Sequence, residues 1–151
     1  MKADFELPDK DGNLVSLREL RGKWVVVYFY PRDMTPGCTI EAHEFTRFLP
    51  DFRKSRAQVL GISPDSEESH CDFYDKEKLK LTLLSDRGAI VARKFGAYGK
   101  KKLYGKEYEG MIRSTFLVNP EGEIAFLWKS VKPLGHAEAV LKKLREIEDA
   151  A

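Results

Sequence analysis

Trp24-Val-Val-Val-Tyr-Phe-Tyr30 runs straight into Pro31-Arg-Asp-Met-Thr35-Pro-Gly-Cys38-Thr-Ile-Glu41, and the reading of this join decides the fold. Seven consecutive apolar and aromatic residues, closed by Pro31, predict a strand buried on both faces. Past Pro36-Gly37 the pattern turns helical, with Ile40, Phe45, Phe48 and Leu49 as an apolar stripe. A helix from about Cys38 to Leu49 is expected, ended or kinked by Pro50. Cys38 therefore falls where a central strand's C-terminal end hands over to a helix N-terminus. Free backbone N–H groups and the positive end of the helix dipole converge there. Both favour thiolate over thiol, and the thiolate is the nucleophile.

Outward from this join, Phe5-Glu-Leu7, the turn Asp11-Gly12-Asn13 and Leu14-Val-Ser-Leu17 predict a short N-terminal hairpin. Gln58 to Ser63 reads as a second strand, and Pro64-Asp65-Ser66-Glu67 starts a helix that runs to about Lys78. Thr82-Leu-Leu84 is a short strand and residues 89–95 a short helix. Residues 97–111, with several glycines and lysines, read as a loop or loose hairpin. Arg113 to Val118, Asn119-Pro-Glu-Gly122 and Glu123 to Trp128 form strand, turn and strand. Val140, Leu141, Leu144 and Ile147 mark a last helix over about 136–148. Strands alternating with helices predict an α/β layer fold, and the late hairpin makes its sheet mixed. The pattern matches a thioredoxin-like architecture.

The length, 151 residues, suits one domain spanning 1–151. Two cysteines are too few for a disulfide scaffold. The longest apolar run is far too short to cross a bilayer, and no secretory leader opens the chain. A cytoplasmic protein with reduced thiols is the expectation, with no membrane association. Net charge is +2 with the signs interspersed, and Lys100-Lys101-Lys102 is the single tight basic run. A run that short reads as a solvated loop, so nucleic acid is not an expected partner.

Around Cys38, Thr35 stands three residues earlier, and its hydroxyl can both donate and accept. Pro31 and Pro36 stiffen the loop. Arg113 opens a later strand; an arginine near a thiolate stabilises it and orients a polar substrate with a fixed fork of donors. Taken alone, Cys38 reads as a small core filler. Thr35 alone reads as a turn residue, and Arg113 alone as a surface charge. Whether Arg113 reaches Cys38 depends on the fold.

Together these residues resemble the peroxiredoxin active site: Pro31, Thr35 and Cys38 at the family's spacing, with Arg113 in Arg-Ser-Thr-Phe-Leu-Val118 as the distant arginine. Within that family the chain is similar to the bacterioferritin comigratory protein (Prx Q) group. Thr-Pro-Gly-Cys-Thr-Ile-Glu-Ala42, Gly61 to Ser66, Leu83-Leu-Ser-Asp86, Tyr104-Gly-Lys106 and Gly110 to Val118 carry the likeness over nearly the whole chain. The resemblance implies antioxidant reduction of hydrogen peroxide and organic hydroperoxides. Cys38 would attack the terminal peroxide oxygen and become a sulfenic acid. Thr35, Arg113 and the Cys38 N–H would hold the two oxygens, Pro31 would shield the sulfenate, and Glu41 would organise Arg113 or the loop. No metal or organic cofactor is implied. Monomers or weak homodimers are common in the group.

This chain departs from the group's pattern at two places. Many members carry a second cysteine five residues after the first, where this chain has His43, and the usual opening Gly-x-x-Ala-Pro is missing. The other thiol is Cys71, on the helix after the second strand. A subset of the group resolves the sulfenic acid from that helix, about one turn later than Cys71. Phe73 marks the helix's buried face, and a residue two positions away points roughly 200° around the axis, so Cys71 is expected to face solvent. In this architecture the two cysteines are too distant to bond directly, because a disulfide needs Cα atoms within roughly 7 Å. The implied route unwinds the first turn of the Cys38 helix, forms a Cys38–Cys71 disulfide, and uses thioredoxin or a similar dithiol protein as reductant. A one-cysteine cycle with an external thiol and an intermolecular disulfide stay open.

Rival readings are weaker. Cys38, His43, His70, Cys71 and His136 could offer metal ligands, but no zinc spacing is present. The histidines are expected at surface and cap positions. A dithiol oxidoreductase wants Cys-x-x-Cys, whereas these cysteines stand 33 residues apart. A non-catalytic thioredoxin-like interaction module is the remaining alternative.

Overall fold

The apolar run folds as a strand whose side chains alternate between two cores. In the computed structural model, which describes residues 4–150, the elements in chain order begin with β1 (Glu6–Pro8), β2 (Leu14–Ser16), β3 (Trp24–Phe29) and α1 (Pro36–Lys54). They continue with β4 (Ala57–Ser63), α2 (Glu67–Glu77), β5 (Thr82–Ser85) and α3 (Ile90–Lys94). β6 (Tyr98–Leu103), β7 (Lys106–Met111), β8 (Ser114–Val118), β9 (Ile124–Trp128) and α4 (His136–Ala150) complete the order. Val26, Tyr28 and Tyr30 point into one core with Phe45 of α1, Phe73 of α2 and Val140 of α4. Val25, Val27 and Phe29 point into the other, with Leu7, Leu17, Val91 and Phe116. A strand covered on both faces has no polar side to keep, which is why its sequence is continuously apolar.

The main sheet runs β5-β4-β3-β8-β9. β3 is parallel to β4 and antiparallel to β8, so the sheet is mixed, as expected. β1 and β2 form the N-terminal hairpin, and a bridge from Asp9 to Leu84 lays it along the β5 edge. Because β3, β4 and β5 run the same way, the loops leaving their C-terminal ends gather at one rim of the sheet. That rim is where α/β sheets place their sites.

Three details correct or sharpen the sequence reading. α1 begins at Pro36 and runs through Pro50 to Lys54. Pro50 is exposed, and Leu49 and Phe52 on either side are buried, so packing of the apolar stripe holds the helix across the missing donor. Of the two readings of the 97–111 segment, loop or loose hairpin, the hairpin holds, as a regular antiparallel pair over 98–111. Tyr104 and Gly105 turn it with φ of 51° and 78°, the two positive values a type I′ turn needs. Arg113 stands immediately before β8 rather than inside it. No helix among the described residues is long and apolar enough to cross a membrane.

Candidate active site

Past β3, Tyr30 keeps the ladder for one more residue, its N–H donating to Ile62 O at 3.0 Å. The chain then turns through Pro31 to Thr35, with Met34 exposed at φ 64°. Thr35 Oγ1 donates to Arg32 O at 2.9 Å, which closes the turn. Thr35 is also the N-cap of α1, and its carbonyl accepts from Thr39 N (2.9 Å) and Thr39 Oγ1 (2.8 Å). Pro36 fills the first helical position, where no donor is needed. Cys38 follows in the first turn with 1% of its surface exposed.

Ser114 of β8 lies opposite Phe29 of β3, so Arg113 arrives beside the end of β3 and the start of α1. Its fork is divided: Nη2 donates to Cys38 Sγ at 3.2 Å and Nη1 to Glu41 Oε1 at 2.7 Å. Gly37 makes room for it, since a Cβ there would stand 3.2 Å from Arg113 Nη2. Glu41 is fully buried, and burial raises its carboxyl to about 7 against the pull of the guanidinium. Its second oxygen and the Tyr28 hydroxyl are buried without a hydrogen-bond partner. Burial, then the charge of Glu41, pushes the Tyr28 phenol well up. An open cleft of about 470 Å³ adjoins the arginine, walled by Pro31, Ile112, Val131 and Lys100 to Lys102.

Thus Cys38, Arg113 and Glu41 are in direct contact. Pro31 shares a cleft wall with Arg113, and the Thr35 hydroxyl is turned to its own loop rather than to the sulfur. Cys71 is outside this group. It is half-buried rather than solvent-facing, because the N-terminal hairpin folds over α2 and Cys71 Sγ donates to Lys10 O at 3.7 Å. Both cysteines are free.

Of the histidines, His43 on the surface and His136 at a helix start fit the sequence reading, and buried His70 corrects it. His43 is exposed and meets Glu77 Oε1 at 2.8 Å. His136 is buried at the start of α4, with Nε2 2.7 Å from Thr115 Oγ1. Burial, then the charge of Arg113, lowers its ring to about 4. His70 is wholly buried, in a network that sequence reasoning missed. Its Nδ1 meets Asp33 Oδ2 at 2.7 Å and its Nε2 meets Leu84 O at 2.9 Å. Asp33, Asp65 and His70 are the described His, Cys, Asp or Glu groups that converge, within 4.8 Å of one another. Only one of the five ligand candidates named from the sequence belongs to that set, because its members come from two loops and α2, whose approach no local spacing encodes.

A nearly enclosed thiol at a helix start on a thioredoxin-like sheet, contacted by an arginine braced on a buried carboxyl, defines a class of thiol protein. The profile of the AhpC/TSA family matches residues 1–127, and the chain belongs to that family. Peroxiredoxin Bcp of Xanthomonas campestris is 44% identical over 145 residues, 95% of this chain and 91% of its own. Peroxiredoxin Bcp of Escherichia coli is 42% identical over 142 residues, 94% of this chain and 91% of its own. The solved structure of the Xanthomonas campestris bacterioferritin comigratory protein, described for alkyl peroxide reduction, superposes with a TM-score of 0.89 at 42% identity. That match covers 94% of this chain and 90% of the solved one.

Proposed function

We propose that this chain is a thiol peroxidase acting as one domain on hydrogen peroxide and organic hydroperoxides, with Cys38 as nucleophile. The observation that carries the reading is Arg113 Nη2 at 3.2 Å from Cys38 Sγ, with the other end of its fork held on Glu41. The Cys38 thiolate attacks the terminal peroxide oxygen and the O–O bond breaks. The leaving oxygen takes a proton and departs as water or alcohol, and the sulfur is left as a sulfenic acid. Arg113 and the Cys38 N–H donate to the oxygens as charge develops on the leaving one. The Thr35 hydroxyl spends its proton on Arg32 O. Turned towards the sulfur, its lone pairs would accept from the peroxide O–H. Pro31 walls the cleft beside Arg113 and limits access to the sulfenate. These steps call on no metal or organic cofactor.

In this reading Cys71 resolves the sulfenic acid, after the first turn of α1 unwinds. The resulting disulfide passes its oxidation to thioredoxin or a similar dithiol protein, in the cytoplasm, on a monomer or weak homodimer. The test adds one equivalent of hydrogen peroxide to reduced protein, quenches with an alkylating agent and records intact mass. Loss of two hydrogens with no free thiol is the expected result. One free thiol with one added oxygen would replace Cys71 by an external thiol. Two untouched thiols would overturn the peroxidase reading.

A further inference from the structure

Asp33 lies inside the loop between Pro31 and Thr35, yet its side chain points away from Cys38 into a buried polar knot. Asp33 Oδ1 accepts from Tyr30 Oη at 2.6 Å. Asp33 Oδ2 accepts from Ser69 Oγ at 2.8 Å and pairs with His70 Nδ1 at 2.7 Å. The Asp33 N–H donates to Asp65 Oδ2 at 2.8 Å, and that oxygen also accepts from Ser63 Oγ at 2.7 Å. Both ring nitrogens of His70 are engaged, Nδ1 with the Asp33 carboxyl and Nε2 with the Leu84 carbonyl. Asp33 and His70 thus form a buried hydrogen-bonded pair whose polar atoms are all engaged. Opening such a pair leaves buried polar groups without partners, which costs free energy.

Ser69, His70 and Cys71 are consecutive on α2. The knot therefore ties the loop that leads to Cys38 onto the very helix turn that carries Cys71. None of the groups it binds belongs to α1. Cys38 lies five residues beyond Asp33, a tether of at most roughly 17 Å when extended. Met34, the first residue of that tether, stands exposed with φ at 64°, in the left-handed region that a non-glycine residue adopts at a cost.

We propose that Asp33 and His70 are positioning residues for the disulfide step. They keep the fixed end of the tether on α2 while the first turn of α1 unwinds, so the sulfenic acid searches only the neighbourhood of Cys71. The inference rests on the Cys38–Cys71 reading above. In the step itself the Cys71 sulfur attacks the Cys38 sulfur and the S–S bond forms as the S–O bond breaks. The departing hydroxide leaves as water with the Cys71 proton. The Cys71 thiol is oxidised and the sulfenic sulfur reduced. A short anchored tether raises the effective concentration of one thiol at the other, and releasing its anchor lowers it.

The test compares wild type, Asp33→Ala and Asp33→Asn. Each reduced protein meets one equivalent of hydrogen peroxide, is quenched over time with a sulfenic-acid trap and an alkylating agent, and is read by intact mass. In Asp33→Ala the disulfide is expected to form at least about tenfold more slowly. Peroxide consumption should slow far less, trapped sulfenic acid should accumulate, and Asp33→Asn should recover part of the rate. An unchanged ratio of disulfide to sulfenic acid would overturn the proposal. Amide exchange on the wild-type disulfide form keeps the question open to test if the variants do not fold. The Asp33 amide should stay as protected as in the reduced protein, while Thr39 to Ala42 lose protection. Loss of protection at Asp33 would overturn the anchor. Wild type that forms no intramolecular disulfide would overturn the reading underneath, and needs no variant to reveal it.

Discussion

Arg113 shows at the scale of one residue why an arginine and not a lysine stands at the site. Its planar fork reaches Cys38 Sγ with one nitrogen and Glu41 Oε1 with the other. A lysine ammonium is a compact point charge on a flexible stem and cannot hold that divided geometry. Arg113→Lys should therefore lower kcat/KM for hydrogen peroxide roughly 100-fold or more, the scale for losing one preorganised donor at a developing charge. A rate within threefold of wild type would show that charge alone suffices. Glu41 was legible only as a residue of the motif. Its burial, and the bracing of Arg113 that follows, depend on a contact across 72 residues of sequence.

At the scale of elements, the site's floor depends on how β3, β4 and α1 stack. Tyr28 of β3 lies flat on Phe45 of α1, with centroids 4.6 Å apart, and its other side closes on Gly61 of β4. A Cβ at Gly61 would stand 2.8 Å from the Tyr28 ring, and the ring is too enclosed to retreat. Gly61→Ala should cost roughly 1–3 kcal/mol, the usual scale for overpacking a core, seen as a lower denaturation midpoint at unchanged slope. An unchanged midpoint would mean that the sheet absorbs the methyl group. Most element types were readable from the chain because apolar periodicity encodes them locally. Pro50 was the exception, and the 98–111 hairpin was readable only as a loop or a hairpin. In α1 tertiary packing outweighs a helix breaker, and in the hairpin polar strands on the surface carry no alternation to read.

Across the whole molecule, two buried groups give stability opposite dependences on pH. Glu41 is raised by burial from 4.5 to about 7, so its contribution is full below about 4.5 and lost as pH rises through about 7. His136 is lowered by burial from 6.5 to about 4, so its contribution is full above about 6.5 and lost as pH falls towards about 4. The unfolding free energy of wild type relative to Glu41→Gln should move in favour of wild type as pH falls from 7 to 4.5. Relative to His136→Gln it should move against wild type as pH falls from 6.5 to 4. Flat differences in denaturant titrations would mean that these groups titrate alike folded and unfolded. The sequence by itself determined the α/β class, the buried central strand, the thiol at a helix start and the motif of Pro31, Thr35 and Cys38, because spacing within a few residues encodes all of these. Only the tertiary structure decided that Arg113 bridges Cys38 and Glu41, that Cys71 is covered by the N-terminal hairpin, and that Asp33 locks onto His70. Each joins residues more than thirty positions apart, and only the packing of the sheet brings such groups together.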